Sequence, residues 1–191
     1  MGEKIRCSWV GNTPLFIDYH DKEWGQPVHD DMKLFEMLIL EGMQAGLTWI
    51  TVLNKREAFR EAFDGFDPNK VSLYNDVKIQ ELMANEKIIR NRLKINAAVS
   101  NAKAFLRVIE EYGSFDKFIW SYVDYTPIIG RWEKHNDMPT RTPLSDDISK
   151  DLKKMGFKFV GSTIVYAFMQ ATGLVNDHIM ECFVYDELIN G

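Results

Sequence analysis

From Met32 to Met43 the chain places Leu34, Phe35, Met37, Leu38, Ile39 and Leu40 at nearly every angle around a helix. A helix with no solvent face must be wrapped by others, so this run predicts a central buried helix with a helical shell. The remaining spacing supplies that shell. A second run, Trp49 to Phe63, stops at Asp64-Gly65. Asp67-Pro68 and Asn75 mark the starts of two short helices, the second carrying Ile79, Leu82 and Met83. A long amphipathic stretch follows from about Lys87 to Glu111, and Ser114 can cap a helix holding Phe118, Ile119 and Tyr122. Ser145 caps a helix ending at Gly156, another runs from about Ser162 to Thr172, and Asn176 or Asp177 caps the last. No strand-like alternation persists, so the expected fold class is all-α.

Residues 124–144 break the pattern. They hold Pro127, Pro139, Pro143 and Gly130 without a clear period, an irregular excursion of a length usually tied to function or mobility. At 191 residues, with 46% hydrophobic and 27% charged positions, the chain suits one globular domain or two small lobes sharing a core. No apolar stretch approaches the roughly 20 residues of a membrane span. With no apolar signal core behind the N-terminus, the expected location is cytoplasmic, with Cys7 and Cys182 reduced.

Between two of the expected helices lies Gly156-Phe157-Lys158-Phe159-Val160-Gly161. A tight turn with glycine at both ends leaves backbone N–H groups free for close approach, and the next helix starts with its positive end toward the same spot. A DNA phosphate could sit there beside Lys158, with Phe157, Phe159 and Val160 anchoring the turn. A plain corner between helices needs the same glycines. The net charge of −5 argues against nucleic acid when taken whole. It hides a division: Lys87–Arg107 carries +6 and Lys150–Lys158 carries +3, which leaves −14 elsewhere. That suits one basic face on an acidic body, although a solvated helix face has the same composition.

His178 and Cys182 are four apart on the expected last helix, hence on one face, a spacing suited to two ligands of a tetrahedral zinc. Cys7 and His20 could complete a closed structural site, or the cysteines are simply buried. His29 and His135 have no comparable partners and read as ordinary surface or loop residues.

Glu41 directly follows four apolar residues, with Gly42 and Gly46 thinning the backbone and Trp49 close behind. A carboxylate there could accept hydrogen bonds from a ligand while an aromatic ring stacks on it. Trp9, Tyr19 and Trp24 add aromatic surface from the N-terminal segment. A helix-terminal glutamate in water beside a tryptophan-rich core is the plainer alternative.

Five blocks together resemble the type I 3-methyladenine DNA glycosylases, the constitutive bacterial family. They are Arg6-Cys7-Ser8-Trp9, Tyr19-His20-Asp21-Lys22-Glu23-Trp24-Gly25, Leu40 to Ile50, Gly156 to Gly161, and Gly173-Leu174-Val175-Asn176-Asp177-His178. The resemblance covers nearly the whole chain and is weakest over 124–144. It implies one domain over residues 1–191 of the helix–hairpin–helix glycosylase superfamily, with the hairpin unit spanning about 145–173 and Gly156, Lys158 and Gly161 at the DNA. It implies a structural zinc, one per chain, on Cys7, His20, His178 and Cys182, joining the two terminal segments into one lobe. It also implies that Glu41, as the catalytic carboxylate, lines a base pocket with Tyr19 and Trp49, with Trp9 and Trp24 as aromatic neighbours.

The implied reaction is hydrolysis of the N-glycosidic bond of 3-methyladenine in alkylated double-stranded DNA, releasing the free base, without lyase activity. A monomer is implied as well. Wider superfamily members commonly carry an aspartate in the slot that Asn176 occupies here, an oddity shared by type I members. Asp177 is therefore expected to cap the last helix or orient His178, not to catalyse. A non-enzymatic helical module holding DNA would explain the hairpin and basic segments but leave Glu41 and the aromatic cluster idle.

Overall fold

The structure, a computed structural model, describes residues 4–190. Eleven α-helices are found among the described residues: α1 (Pro14–Lys22), α2 (Asp31–Gln44), α3 (Trp49–Leu53), α4 (Arg56–Ala62), α5 (Pro68–Val71), α6 (Asp76–Ala84), α7 (Arg92–Tyr112), α8 (Phe115–Trp120), α9 (Pro143–Lys154), α10 (Ser162–Ala171) and α11 (Phe183–Asn190). As its composition requires, α2 is central. Leu34 to Met43 are all buried, and the helix packs against α3, α7, α8 and α10. Asp30 starts it, accepting from the Lys33 N–H at 2.8 Å. The core continues through Phe105 on α7, whose ring stacks on Phe115 and meets Phe35 edge-on.

Several boundaries differ from the sequence expectation, each for a local reason. The run from Trp49 to Phe63 is two helices, broken at Asn54-Lys55, where the Lys55 ammonium donates to the carbonyls of Glu86 and Lys87. The stretch expected from Lys87 begins at Arg92, because Asn91 accepts from the Lys94 N–H and caps α7. Ser145 is not the cap of α9. Thr142 is, with Ser145 returning the bond in a reciprocal capping box. His178 and Cys182 precede α11 and do not lie on it.

The excursion over 124–144 is mostly irregular but not free of pairing. Ile128–Ile129 (β1) and Val175–Asn176 (β2) form a two-residue parallel ladder, with Ile128 opposite Val175 and Ile129 opposite Asn176. This ladder corrects an expectation of helices alone. It is too short to show as alternation, and it pins the excursion to the chain leaving α10.

Candidate functional site

Tyr19 and His20 are consecutive on α1, so their side chains diverge by about 100°. Tyr19 turns toward α2 and α3, where a cavity of about 410 Å³ opens. Its walls include Trp9, Phe16, Tyr19, Trp24, Glu41 and Trp49, with Gln44, Thr48, Ile50, His135, Ala167 and Gln170 completing it. Trp9 meets Trp24 edge-on at 5.0 Å and Phe16 at 5.5 Å, and Tyr19 tilts against Trp49 at 5.5 Å. All five residues expected around a pocket, Glu41, Tyr19, Trp49, Trp9 and Trp24, are thus brought to one cavity.

Three buried polar atoms of this cavity are unpaired among the described residues. Glu41 is 3% exposed and its Oε2 has no hydrogen-bond partner; the indole N–H groups of Trp9 and Trp49 are likewise buried and unpaired. Burial without a partner raises the Glu41 carboxyl to about 8. Tyr19 is raised too, by burial and then by the Glu41 charge. Leaving such groups unmatched costs about 1–3 kcal/mol each, a cost that a ligand able to pair with them would offset. The arrangement can take a flat ligand among the aromatic rings, with a hydrogen-bond donor toward the carboxyl.

The end of α2 is held from outside. Lys94 on α7 buries its ammonium and donates to the carbonyls of Met43 at 2.8 Å and Ala45 at 2.7 Å. This completes the helix C-terminus and fixes the turn through Gly46, whose φ is +77°. That turn carries Leu47, 41% exposed, out to a groove beside the cavity that Thr163, Ile164 and Ala167 of α10 also line. Lys94 therefore belongs to the pocket scaffold and not to the basic surface in which the sequence counted it.

His20 turns the other way. Its Nε2, the Nδ1 of His178 and the two thiol sulfurs of Cys7 and Cys182 lie within 4.8 Å of one another, all buried. Cys182 Sγ stands 3.5 Å from both imidazole nitrogens and Cys7 Sγ 3.6 Å from His178 Nδ1. Two ligands of a tetrahedral ion with metal–sulfur and metal–nitrogen bonds of about 2.3 and 2.0 Å stand about 3.5 Å apart. Both outer nitrogens are engaged: His20 Nδ1 meets Asp21 at 2.8 Å and His178 Nε2 meets the Trp24 carbonyl at 2.9 Å. With acceptors there, each ring presents its lone pair to the cluster. Arg6 clasps Asp21 in turn, and the Phe183 N–H donates to the Ile5 carbonyl, so the two chain ends meet around this group. The four residues could hold a metal ion. Their meeting does not depend on the helix that the sequence predicted for His178 and Cys182, since a turn brings them together instead.

Between α9 and α10, the hairpin is closed by the Ser149 hydroxyl donating to the Val160 carbonyl at 2.6 Å. Gly156 takes φ +94°, which only glycine adopts cheaply. Its backbone is less open than expected: the N–H groups of Gly156, Phe157 and Lys158 are taken by Lys153, Leu152 and Asn101. Those of Phe159, Val160 and Gly161 have no intramolecular partner among the described residues. Phe157 and Val160 are buried, while Phe159 is half-buried over Gly42 and Lys158 is exposed. Asn101 and Arg107 of α7 bind the Lys158 backbone and the Met155 carbonyl. The hairpin thus rests on the helix that carries exposed Arg92, Lys103 and Arg107.

Comparison with known proteins decides what this arrangement belongs to. The family model described as methyladenine glycosylase matches residues 9–185. The chain belongs to the methyladenine glycosylase family. A relative from Haemophilus influenzae named DNA-3-methyladenine glycosylase is 51% identical, over 93% of this chain and 96% of its own. A crystal structure of 3-methyladenine DNA glycosylase I, 53% identical, superposes with a TM-score of 0.91 over 94% of this chain and 98% of its own. Another crystal structure, a variant of 3-methyladenine DNA glycosylase I in complex with 3-methyladenine, is 40% identical, with a TM-score of 0.91 over 93% and 96%.

Within this methyladenine glycosylase, two expectations fail on geometry. His135 is not an ordinary loop residue, since it lines the cavity. Asp177 neither caps α11 nor touches His178; it accepts from Trp132, Tyr166 and Gln170. Sequence reasoning also missed Phe16 and Gln44, which lie three residues from Tyr19 and Glu41 and share their helix faces. Ala167 and Gln170 share a face of α10 by the same spacing, but which face meets the cavity is a tertiary fact.

Proposed function

We propose that this chain is a DNA repair glycosylase that hydrolyses the N-glycosidic bond of 3-methyladenine in alkylated DNA, releasing the free base and leaving an abasic site. The observation that carries the reading is the buried, unpaired carboxyl of Glu41 in an aromatic cavity. Methylation at N3 makes the adenine of an intact nucleotide cationic and a good leaving group, so a strong general acid is unnecessary. The nucleotide is extruded from the duplex at a cost of a few kcal/mol. Trp49 stacks on the cationic base, a contact worth about 1–2 kcal/mol when desolvated. Glu41 accepts from the exocyclic amine and faces the cation. A carboxyl raised by burial is strained toward its neutral form, and a cation returns it to the charged one. Neutral adenine offers no such return, so selection follows from charge as well as fit.

No lysine lines the cavity among the described residues, which supports simple hydrolysis over a lyase step through an amine. The hairpin residues Gly156, Lys158 and Gly161 hold a phosphate of the duplex, with α7 extending the basic face. Cys7, His20, His178 and Cys182 would hold one zinc, which with four protein ligands would be structural. These residues would thereby join the terminal segments, with residues 1–191 acting as one domain.

The test is to incubate the protein with methylated duplex DNA and assay free bases. Released 3-methyladenine is the expected result, and DNA binding without release would make the chain a non-enzymatic binding module instead.

A further inference from the structure

The excursion between β1 and α9 plays no part in the reading above, yet it reaches the cavity. The Trp132 indole donates to Asp177 Oδ1 at 2.7 Å, and the Met180 N–H donates to the Trp132 carbonyl at 2.9 Å. Three residues later the single turn His135–Asp137 sets His135 on the cavity wall while leaving it exposed, hence at the mouth. Asp177 is 1% exposed and also accepts from Tyr166 at 2.6 Å and Gln170 at 2.8 Å. Gln170 is a wall residue itself. One buried carboxylate therefore holds two parts of the wall, Gln170 directly and His135 through Trp132. The backbone makes room for this junction at Gly130, where a Cβ would lie 2.4 Å from both Asp177 Oδ1 and Trp132 Nε1.

We infer that Asp177 is a positioning residue for base excision, fixing His135 through Trp132 at the cavity mouth, where His135 holds the sugar–phosphate of the extruded nucleotide. The inference rests on the proposed function. A base stacked on Trp49 against Glu41 leaves its deoxyribose and flanking phosphates at the mouth. An imidazole donates an N–H to a phosphate oxygen in either protonation state, and contacts to phosphate position a nucleic acid without reading its sequence. Exposed Lys134 immediately precedes the same turn.

The test compares H135A, W132F and the double variant as full-length protein on a duplex with a single 3-methyladenine, alongside melting curves and affinity for free 3-methyladenine. Loss of one such contact raises KM for DNA by about fivefold, with kcat changed less than twofold and affinity for the free base unchanged. W132F raises KM by about threefold, and the double variant is no worse than H135A, because both substitutions cut one lever. G130A, which wedges the same junction apart, reproduces W132F without altering an aromatic side chain. Effects that multiply in the double variant, or an unchanged KM in H135A, would overturn the inference. A wild-type protein that releases no base would instead sink the base-excision reading and take this inference with it.

Discussion

Tyr19 and His20 are neighbours on α1, but they serve two regions built on opposite terms. Around His20 nearly every polar atom is matched: each imidazole has an acceptor on its outer nitrogen, and Asp21 is itself clasped by Arg6. Around Tyr19 the polar atoms that matter are left unmatched, with Glu41 Oε2 and two indole N–H groups buried and alone. A matched cluster spends its interactions on the fold. An unmatched one sacrifices stability so that a ligand can complete it. Trp24 joins the two, its carbonyl accepting from His178 while its ring lines the cavity.

Four perturbations sharpen that contrast. Stripping the zinc proposed for the four Cys and His residues with a chelator, or replacing Cys182 by Ala, should have the largest effect. Structural zinc contributes roughly 10–16 kcal/mol of apparent binding energy in small folds, so melting should fall by 10 °C or more as zinc content drops, read by calorimetry with metal analysis. A native protein that contains no zinc and melts identically with chelator would break the comparison on this side.

Glu41→Gln should act in the opposite sense on stability. Glu41 is held at about 8 in the fold, against an ordinary 4.5. Between those values the folded chain keeps a proton that the unfolded chain has released, so wild-type stability declines as pH rises from about 4.5 to 8 and then levels. The full decline from this group is on the order of 5 kcal/mol. The Gln variant should lack it, matching wild type below about pH 4.5 and exceeding it at pH 8 in denaturant titrations. Parallel pH profiles would show that Glu41 is not the isolated group described above.

Lys94→Met should cost about 1–3 kcal/mol by stranding the Met43 and Ala45 carbonyls. It should also slow excision more than its stability loss explains, since the turn to Leu47 and Trp49 loosens. Stability loss with unchanged kcat would make Lys94 a plain helix cap. Lys158→Ala should have the smallest effect, raising KM for DNA a few-fold and reducing the salt slope by about 1, with no change in melting. A salt slope identical to wild type would remove Lys158 from the DNA face.

The legibility of the fold followed length scale. The central helix was readable because Leu34 to Leu40 hold six apolar residues and only Glu36 as a polar one, and the caps at Asn75 and Ser114 because capping is local. The break after Leu53 was not, since Lys55 answers to carbonyls more than thirty residues away. The cavity aromatics and the four Cys and His residues were readable as blocks, while their meeting depended on a turn that the sequence read as helix. His135, Trp132 and Asp177 were the least legible. Their relation runs through a two-residue ladder and a glycine whose role is only to be empty.

The role of Glu41 in base release is decided by single-turnover excision by Glu41→Gln on a duplex carrying one 3-methyladenine, at a pH where its melting matches wild type. The expected rate is lower by about a hundredfold or more, as for loss of one preorganised polar partner, with DNA binding and metal content retained. An equal rate of base release from an equally folded variant would contradict it.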